Sequence, residues 1–194
     1  MGADFYACSP YKFLGPHCGA VFGRTELLHE LRPDKLLPSP DRVPERFEYG
    51  TLAYELMAGT TAAIDFLAGM TAAAGNRRQR LVAAMTAVHH HEDDLRVRLE
   101  TAVAALPGVT VHSRAQRRTP TLLLTFTDVR AETVGAILAD ADINAPAGSF
   151  YAYEASRRLG LGDAGGLRVG LAPYTNSADI DRLVTALSAA VGQS

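Results

Sequence analysis

The chain has 194 residues, 47% of them hydrophobic and 21% charged, with a formal net charge of −2. That length can bury a core as one large domain or two small ones, and the charge balance lacks the basic surplus expected of a nucleic-acid binder. No run of about 18 apolar residues occurs, and the longest candidate, 56–74, is broken by Asp65, several threonines and two glycines, so no membrane span is expected.

Residues 5–8 and 20–22 read as two short strands that bracket a turn. That turn, Ser9-Pro10-Tyr11-Lys12-Phe13-Leu14-Gly15-Pro16, sets one lysine among aromatic and aliphatic neighbours. Lysine on a packed turn loses hydration, which lowers its pKa and makes it a nucleophile able to form an imine with an aldehyde. Pyridoxal phosphate is the common biological aldehyde held this way, and Ser9 could offer its hydroxyl to a phosphate. Ser9-x-x-Lys12 also matches the serine–lysine motif of penicillin-recognising enzymes, but the further elements those enzymes need are missing and Pro10 sits badly in the required helix. Cys8 and Cys18 are the only cysteines. Their spacing fits neither a metal knuckle nor a redox pair, Cys18 reads as a small buried residue, and a reducing cytoplasm is the simplest home. No basic region followed by an apolar stretch opens the chain, so no secretory signal is expected.

Residues 32–46 hold four prolines and should be irregular. A helix is expected over 53–73, a break at Gly75-Asn76, and a second helix over 77–105 with Leu81, Met85, Val88, Leu95, Leu99 and Val103 on one apolar face. Within it, His89-His90-His91-Glu92-Asp93-Asp94 suggests a metal patch, but adjacent helical positions cannot share a face, so a solvated face is expected and no metal is assigned. Pro107-Gly108 ends that helix. Strands are expected over 109–112, 120–127, 143–144 and 167–172, and helices over 131–139 and 150–159. A last helix is expected with Ser177 as N-cap and Ile180, Leu183, Val184, Leu187 and Val191 buried. Gly160-Leu161-Gly162-Asp163-Ala164-Gly165 matches a dinucleotide fingerprint by letter, but here a helix precedes it and a strand follows, the reverse of what pyrophosphate binding needs.

Four further segments complete an ordered set with the lysine turn: Arg46-Phe47-Glu48-Tyr49-Gly50-Thr51, then Gly148-Ser149-Phe150-Tyr151-Ala152, then Gly165-Gly166-Leu167-Arg168-Val169-Gly170 and Pro173-Tyr174-Thr175-Asn176. In this order they resemble the C-terminal half of a class V aminotransferase-type enzyme, the group that contains cysteine desulfurases. The resemblance implies an α/β chain that forms the end of the large domain and the whole small domain of a fold-type I pyridoxal-phosphate enzyme, with residues 1–75 in the first and 76–194 in the second. It implies that Lys12 forms the imine and shuttles a proton at the substrate α-carbon. Ser9 and, across a homodimer interface, Thr51 would contact the cofactor phosphate, with Gly50 letting the backbone approach. Arg168 would hold the carboxylate of an amino-acid substrate, with Asn176 in the turn that accompanies it. Cysteine desulfurases carry a nucleophilic cysteine in the segment matching 147–153, and none stands there in this chain. The chain starts eleven residues before Lys12, so the family's ring-stacking histidine, acidic pyridine partner and phosphate loop are expected to lie outside it. A fragment, a truncated reading frame, or a protein that has lost the reaction is therefore expected. The alternative to an enzyme is a non-catalytic interaction module whose first strands lack sheet neighbours.

Overall fold

A computed structural model describes residues 2–113 and 115–192. Contacts divide the chain into two units, one ending at Met85 and the other beginning at Thr86. The division lies inside a long helix, whereas the sequence suggests a boundary at Gly75-Asn76.

In the first unit, β1 (Phe5–Cys8) and β2 (Ala20–Gly23) form a two-stranded antiparallel ribbon with Phe5 opposite Gly23 and Cys8 opposite Ala20. Both strands fall where their β-branched and aromatic residues place them. Phe5, Tyr6, Val21 and Phe22 are all exposed, so the ribbon presents apolar side chains on a sheet of only two strands. Such a ribbon is marginal alone and offers open edges for pairing. The helix α1 (Thr25–Glu30) is absent from the sequence reading. It has six residues, none buried, so no apolar stripe marks it.

The next helix, α2 (Tyr54–Ala68), stops short of the expected residue 73. Gly69 takes the terminal position at φ −93°, and its N–H bonds the carbonyls of Asp65 and Phe66 at 3.0 Å, so the last turn tightens before the chain leaves the helix. Ala63, Leu67 and Ala68 are the buried residues of this helix. The long helix α3 (Arg77–Ala104) matches its expected span. Asn76 begins it. Its Oδ1 accepts from the Gln79 N–H at 3.0 Å while Gln79 Oε1 accepts from the Asn76 N–H at 2.9 Å, a reciprocal cap. Leu95, Leu99 and Val103 are buried as expected, but Met85 is exposed and the buried position in that turn is Ala84.

The second unit holds a four-stranded sheet of β3 (Val109–Val111), β4 (Thr121–Phe126), β5 (Ala147–Gly148) and β6 (Gly166–Gly170), in the order β3-β4-β6-β5 with every pair antiparallel. Its remaining helices are α4 (Ala131–Asp140), α5 (Tyr153–Arg158) and α6 (Ser177–Gly192). Side chains alternate across the sheet. Leu122 and Leu124 of β4 and Leu167 and Val169 of β6 are buried in a core with Leu99, Val103, Val134, Leu138, Ile180 and Leu187, while Arg168 is exposed. Fully burying each such aliphatic side chain contributes roughly 1.5–3 kcal/mol. Val184 and Val191 of the last helix are half-buried.

Two further elements, both in this second unit, differ from expectation. The strand expected at 143–144 is irregular there, and pairing with β6 occurs at Ala147–Gly148 instead. The helix expected from 150 begins at Tyr153, because Phe150 and Tyr151 hold left-handed backbone angles, φ 54° and 65°, that no right-handed helix allows. One charged cluster is partly buried. Arg96 bonds Asp93 at 2.5 Å and Glu100 at 2.6 Å, and Arg118 also pairs with Glu100. The Arg96 hydrogen bond holds the Asp93 carboxyl below its usual range. Among the described residues, no helix is long and apolar enough to cross a membrane.

The ribbon yields a direct expectation. Val21→Lys places a charge on an exposed strand position and should lower self-association measured by light scattering, while the urea-unfolding free energy stays within about 0.5 kcal/mol of the parent.

Candidate functional site

The lysine turn is shaped by two prolines and a glycine. Pro10 is buried and starts a 3-10 turn over Pro10–Phe13, where its missing N–H costs nothing. The Lys12 N–H reaches the Ser9 carbonyl and the Gly15 N–H reaches the Pro10 carbonyl, both at 2.9 Å. Leu14 ends the turn at φ 68°. Gly15 is required there, because a Cβ at that position would stand 2.9 Å from both the Cβ and the carbonyl oxygen of Pro10. Pro16 rests against Gly59 of α2, and Cys18 Sγ lies 3.6 Å from Thr60 Oγ1. Cys18 is therefore half-buried and in polar contact rather than fully buried.

The turn brings Ser9 and Lys12 together, one 3-10 turn apart. Ser9 is half-buried and its hydroxyl makes no capping bond. Lys12 is exposed. The desolvation expected from its apolar neighbours is not supplied by this chain, because Pro10 takes the inward position and leaves the lysine on the outer side. Lys12 Nζ lies 5.6 Å from the centroid of the Tyr11 ring, which stacks on His17 at 5.0 Å with 15° between the planes. The ion pairs of this unit are Arg24–Asp4, Lys35–Asp41, Arg42–Glu45 and Arg77–Asp65, so among the described residues none engages Lys12. Gly50 and Thr51 are exposed, with open space where a Gly50 side chain would stand. Among the described residues no hydrogen bond ties them to the lysine turn.

Arg168 belongs to the second unit. Its N–H bonds the Pro146 carbonyl at 2.9 Å, and Leu123 lies opposite it on β4. The side chain stands on the sheet face away from Leu167 and Val169. Its guanidinium carbon lies 4.1 Å from the centroid of the Phe150 ring. The close β5–β6 approach makes this possible. Gly165 has φ 71°, and a Cβ there would stand 2.0 Å from the Gly148 carbonyl oxygen. Any side chain would push the 148–151 segment off β6. That segment then runs through the left-handed Phe150 and Tyr151, a conformation costing roughly 1–2 kcal/mol at each residue. The glycine-rich stretch 160–165 is the turn from α5 to β6, fastened by Ser156 Oγ donating to the Gly162 carbonyl at 2.6 Å and by the Arg157–Asp163 pair at 2.8 Å.

Asn176 does not approach Arg168 through any hydrogen bond among the described residues. It caps α6: its Oδ1 accepts from the Ala178 and Asp179 N–H groups at 2.8 and 3.3 Å, and its own N–H donates to Asp179 Oδ2 at 2.9 Å. The sequence reading makes Ser177 the cap. The correction follows from the asparagine carbonyl, which reaches two N–H groups at once one position earlier. His91 Nε2, in the histidine run, donates to the Thr175 carbonyl at 2.8 Å and ties α3 to the turn before that cap. Among the described residues no three metal-ligating side chains gather as a site. Nearby, burial raises the Glu92 carboxyl above its usual range.

Three site residues escape the sequence reading: Tyr11, His17 and Phe150. Tyr11 and Phe150 lie inside the quoted segments and His17 directly follows one, but ring contacts carry no spacing signal when turns, rather than helices or strands, set them.

The family model described as Aminotransferase class-V matches residues 1–183. An uncharacterised protein of Mycobacterium tuberculosis is 31% identical over 189 residues, covering 96% of this chain and 47% of that protein. An aminotransferase-like protein of Gibberella zeae is 29% identical over 197 residues, covering 96% and 46%. The crystal structure of the Escherichia coli cysteine desulfurase CsdA in its S-sulfonic acid form matches with a TM-score of 0.79 at 27% identity, over 98% of this chain and 46% of that one. The chain thus spans about half the length of the relatives it matches.

The cap assignment predicts that Asn176→Ala lowers stability by about 1 kcal/mol while Asn176→Asp largely retains it, as measured by urea unfolding.

Proposed function

The chain belongs to the class V aminotransferase family and has the α/β fold of about half of a fold-type I pyridoxal-phosphate enzyme; on that footing we propose that it supplies the cofactor lysine and the substrate-carboxylate site of an enzyme acting on an amino acid. The observation that carries this reading is the exposed Arg168 guanidinium on a core strand. The ion pairs of the second unit use Arg96, Arg98, Arg118, Arg130 and Arg157, and among the described residues none takes Arg168.

The residues fit pyridoxal phosphate in two respects. Lys12 is exposed and outside the ion pairs, so its amine is open to an aldehyde. The Ser9 hydroxyl lies in the same turn with no capping bond to break. Gly50 and Thr51 would add a backbone and a hydroxyl contact to the phosphate from the other subunit of a homodimer. When bound, the cofactor draws electrons from the substrate α-carbon and acidifies its proton. Lys12 would hold the cofactor covalently and move a proton at that carbon. Arg168 would take the substrate carboxylate edge-on through two parallel N–H donors, a geometry that its planar fork suits. Asn176 would act at one remove, by fixing the start of α6 and the turn that leads into it. Transamination, β-elimination and epimerisation all begin from these steps. The segment 147–153 carries no thiol, so persulfide formation on it is not proposed. Two free cysteines accord with a cytoplasmic setting.

A second reading, a non-catalytic interaction module of this family, is favoured by the exposure of Lys12 and of the β1–β2 ribbon. One experiment separates the two. Lys12 and Lys35 are the only lysines, and Lys35 is occupied by the Ser39 carbonyl at 2.7 Å and by Asp41 at 3.3 Å. Borohydride trapping with pyridoxal phosphate, followed by peptide mass spectrometry, should label Lys12 at least about tenfold over Lys35, and Lys12→Ala should reduce labelling to the Lys35 background. Equal labelling of the two lysines would favour the module.

A further inference from the structure

The geometry points to Phe150 as a positioning residue that holds Arg168 ready for a carboxylate, an inference that rests on the carboxylate reading of Arg168. An exposed arginine normally samples many rotamers, and a binding site that must order it on each encounter loses affinity. Proteins usually order such a side chain with an ion pair. An acidic partner, however, would occupy the N–H donors and neutralise the charge that a substrate carboxylate needs. An aromatic ring avoids both penalties. It attracts the cation through its face, and it leaves the donors at the guanidinium edge unoccupied.

Backbone strain singles out this contact. Phe150 and Tyr151 are consecutive non-glycine residues at positive φ, 54° and 65°. Such strain persists only where the surroundings enforce it. Here the Gly148–Gly165 approach fixes the incoming chain and the Ala147–Leu167 pairing fixes its register. The two aromatic residues then diverge. Tyr151 is 95% exposed, whereas Phe150 is half-buried with its ring 4.1 Å from the guanidinium carbon. The strained conformation thus has one visible product, a ring laid on Arg168.

The test uses the 194-residue chain labelled with nitrogen-15, with the Arg168 Nε–Hε resonance identified by its loss in Arg168→Lys. In the ligand-free protein that resonance should be shifted upfield by the ring, should move to the position of exposed arginines in Phe150→Leu, and should stay shifted in Phe150→Tyr. Titration with L-alanine should then show affinity weakened about tenfold in Phe150→Leu and within about twofold of wild type in Phe150→Tyr. If Phe150→Leu fails to fold, the nuclear Overhauser contact between the Phe150 ring and the Arg168 side chain of the wild type decides the point. Absence of that contact, or an Arg168 resonance and L-alanine affinity identical in wild type and Phe150→Leu, would overturn the inference alone. A ring-shifted Arg168 that ignores L-alanine would overturn the carboxylate reading itself, and the role of the contact with it.

Discussion

The candidate substrate site depends on one steric fact: no side chain fits between Gly165 and the carbonyl of Gly148. A Cβ there would sit 2.0 Å from that oxygen, well inside van der Waals contact. The absence of that carbon lets the 147–148 segment pair with β6, lets the Arg168 N–H reach the Pro146 carbonyl, and carries Phe150 over the guanidinium. Hydrophobic burial supports the same strand from its other face, where Leu167 and Val169 join the core. A rigid strand, a core on one side and a ring on the other leave Arg168 ordered but chemically unspent.

The lysine turn follows a related logic with different parts. Pro10 is buried, Gly15 lets the chain double back on Pro10, and Pro16 seats the turn on α2. The backbone is therefore well determined while Lys12 remains outside. In a family whose relatives are about twice as long as this chain, an uncovered amine and an uncovered apolar ribbon are consistent with surfaces that further polypeptide would cover. Ribbon edges and exposed Phe22 and Val21 are the features by which such a surface is recognised physically.

Much of this was legible from residue pattern. Helix α3 and the buried face of α6 followed from period, because a continuous core enforces period over many residues, whereas β4 and β6 were legible as strands without a buried face being assigned to them. The misplaced features are local. Residues 143–144 looked like a strand from Ile143, but pairing was decided by where the glycines at 148 and 165 allow backbones to meet. Asn176 outcompeted Ser177 as a cap through the reach of its amide. Met85 yielded the buried position to Ala84. The turn that carries Lys12 lies between the two strands expected from sequence, but the exposure of Lys12 could not be read from neighbours whose own direction is set by Pro10. The Phe150–Arg168 contact is set by the left-handed 150–151 segment and the glycine-rich 160–165 turn, and no composition or spacing rule encodes such a meeting.

The Gly148–Gly165 approach holds the 146–151 segment, and hence the Phe150 ring, against the strand bearing Arg168. Amide hydrogen exchange in Gly165→Ala tests it most directly. Protection of the Arg168 amide, which donates to Pro146, should fall at least about tenfold while the β4–β6 amides between Leu124 and Leu167 keep theirs. Unchanged protection at Arg168 would mean that this approach does not hold the segment in place.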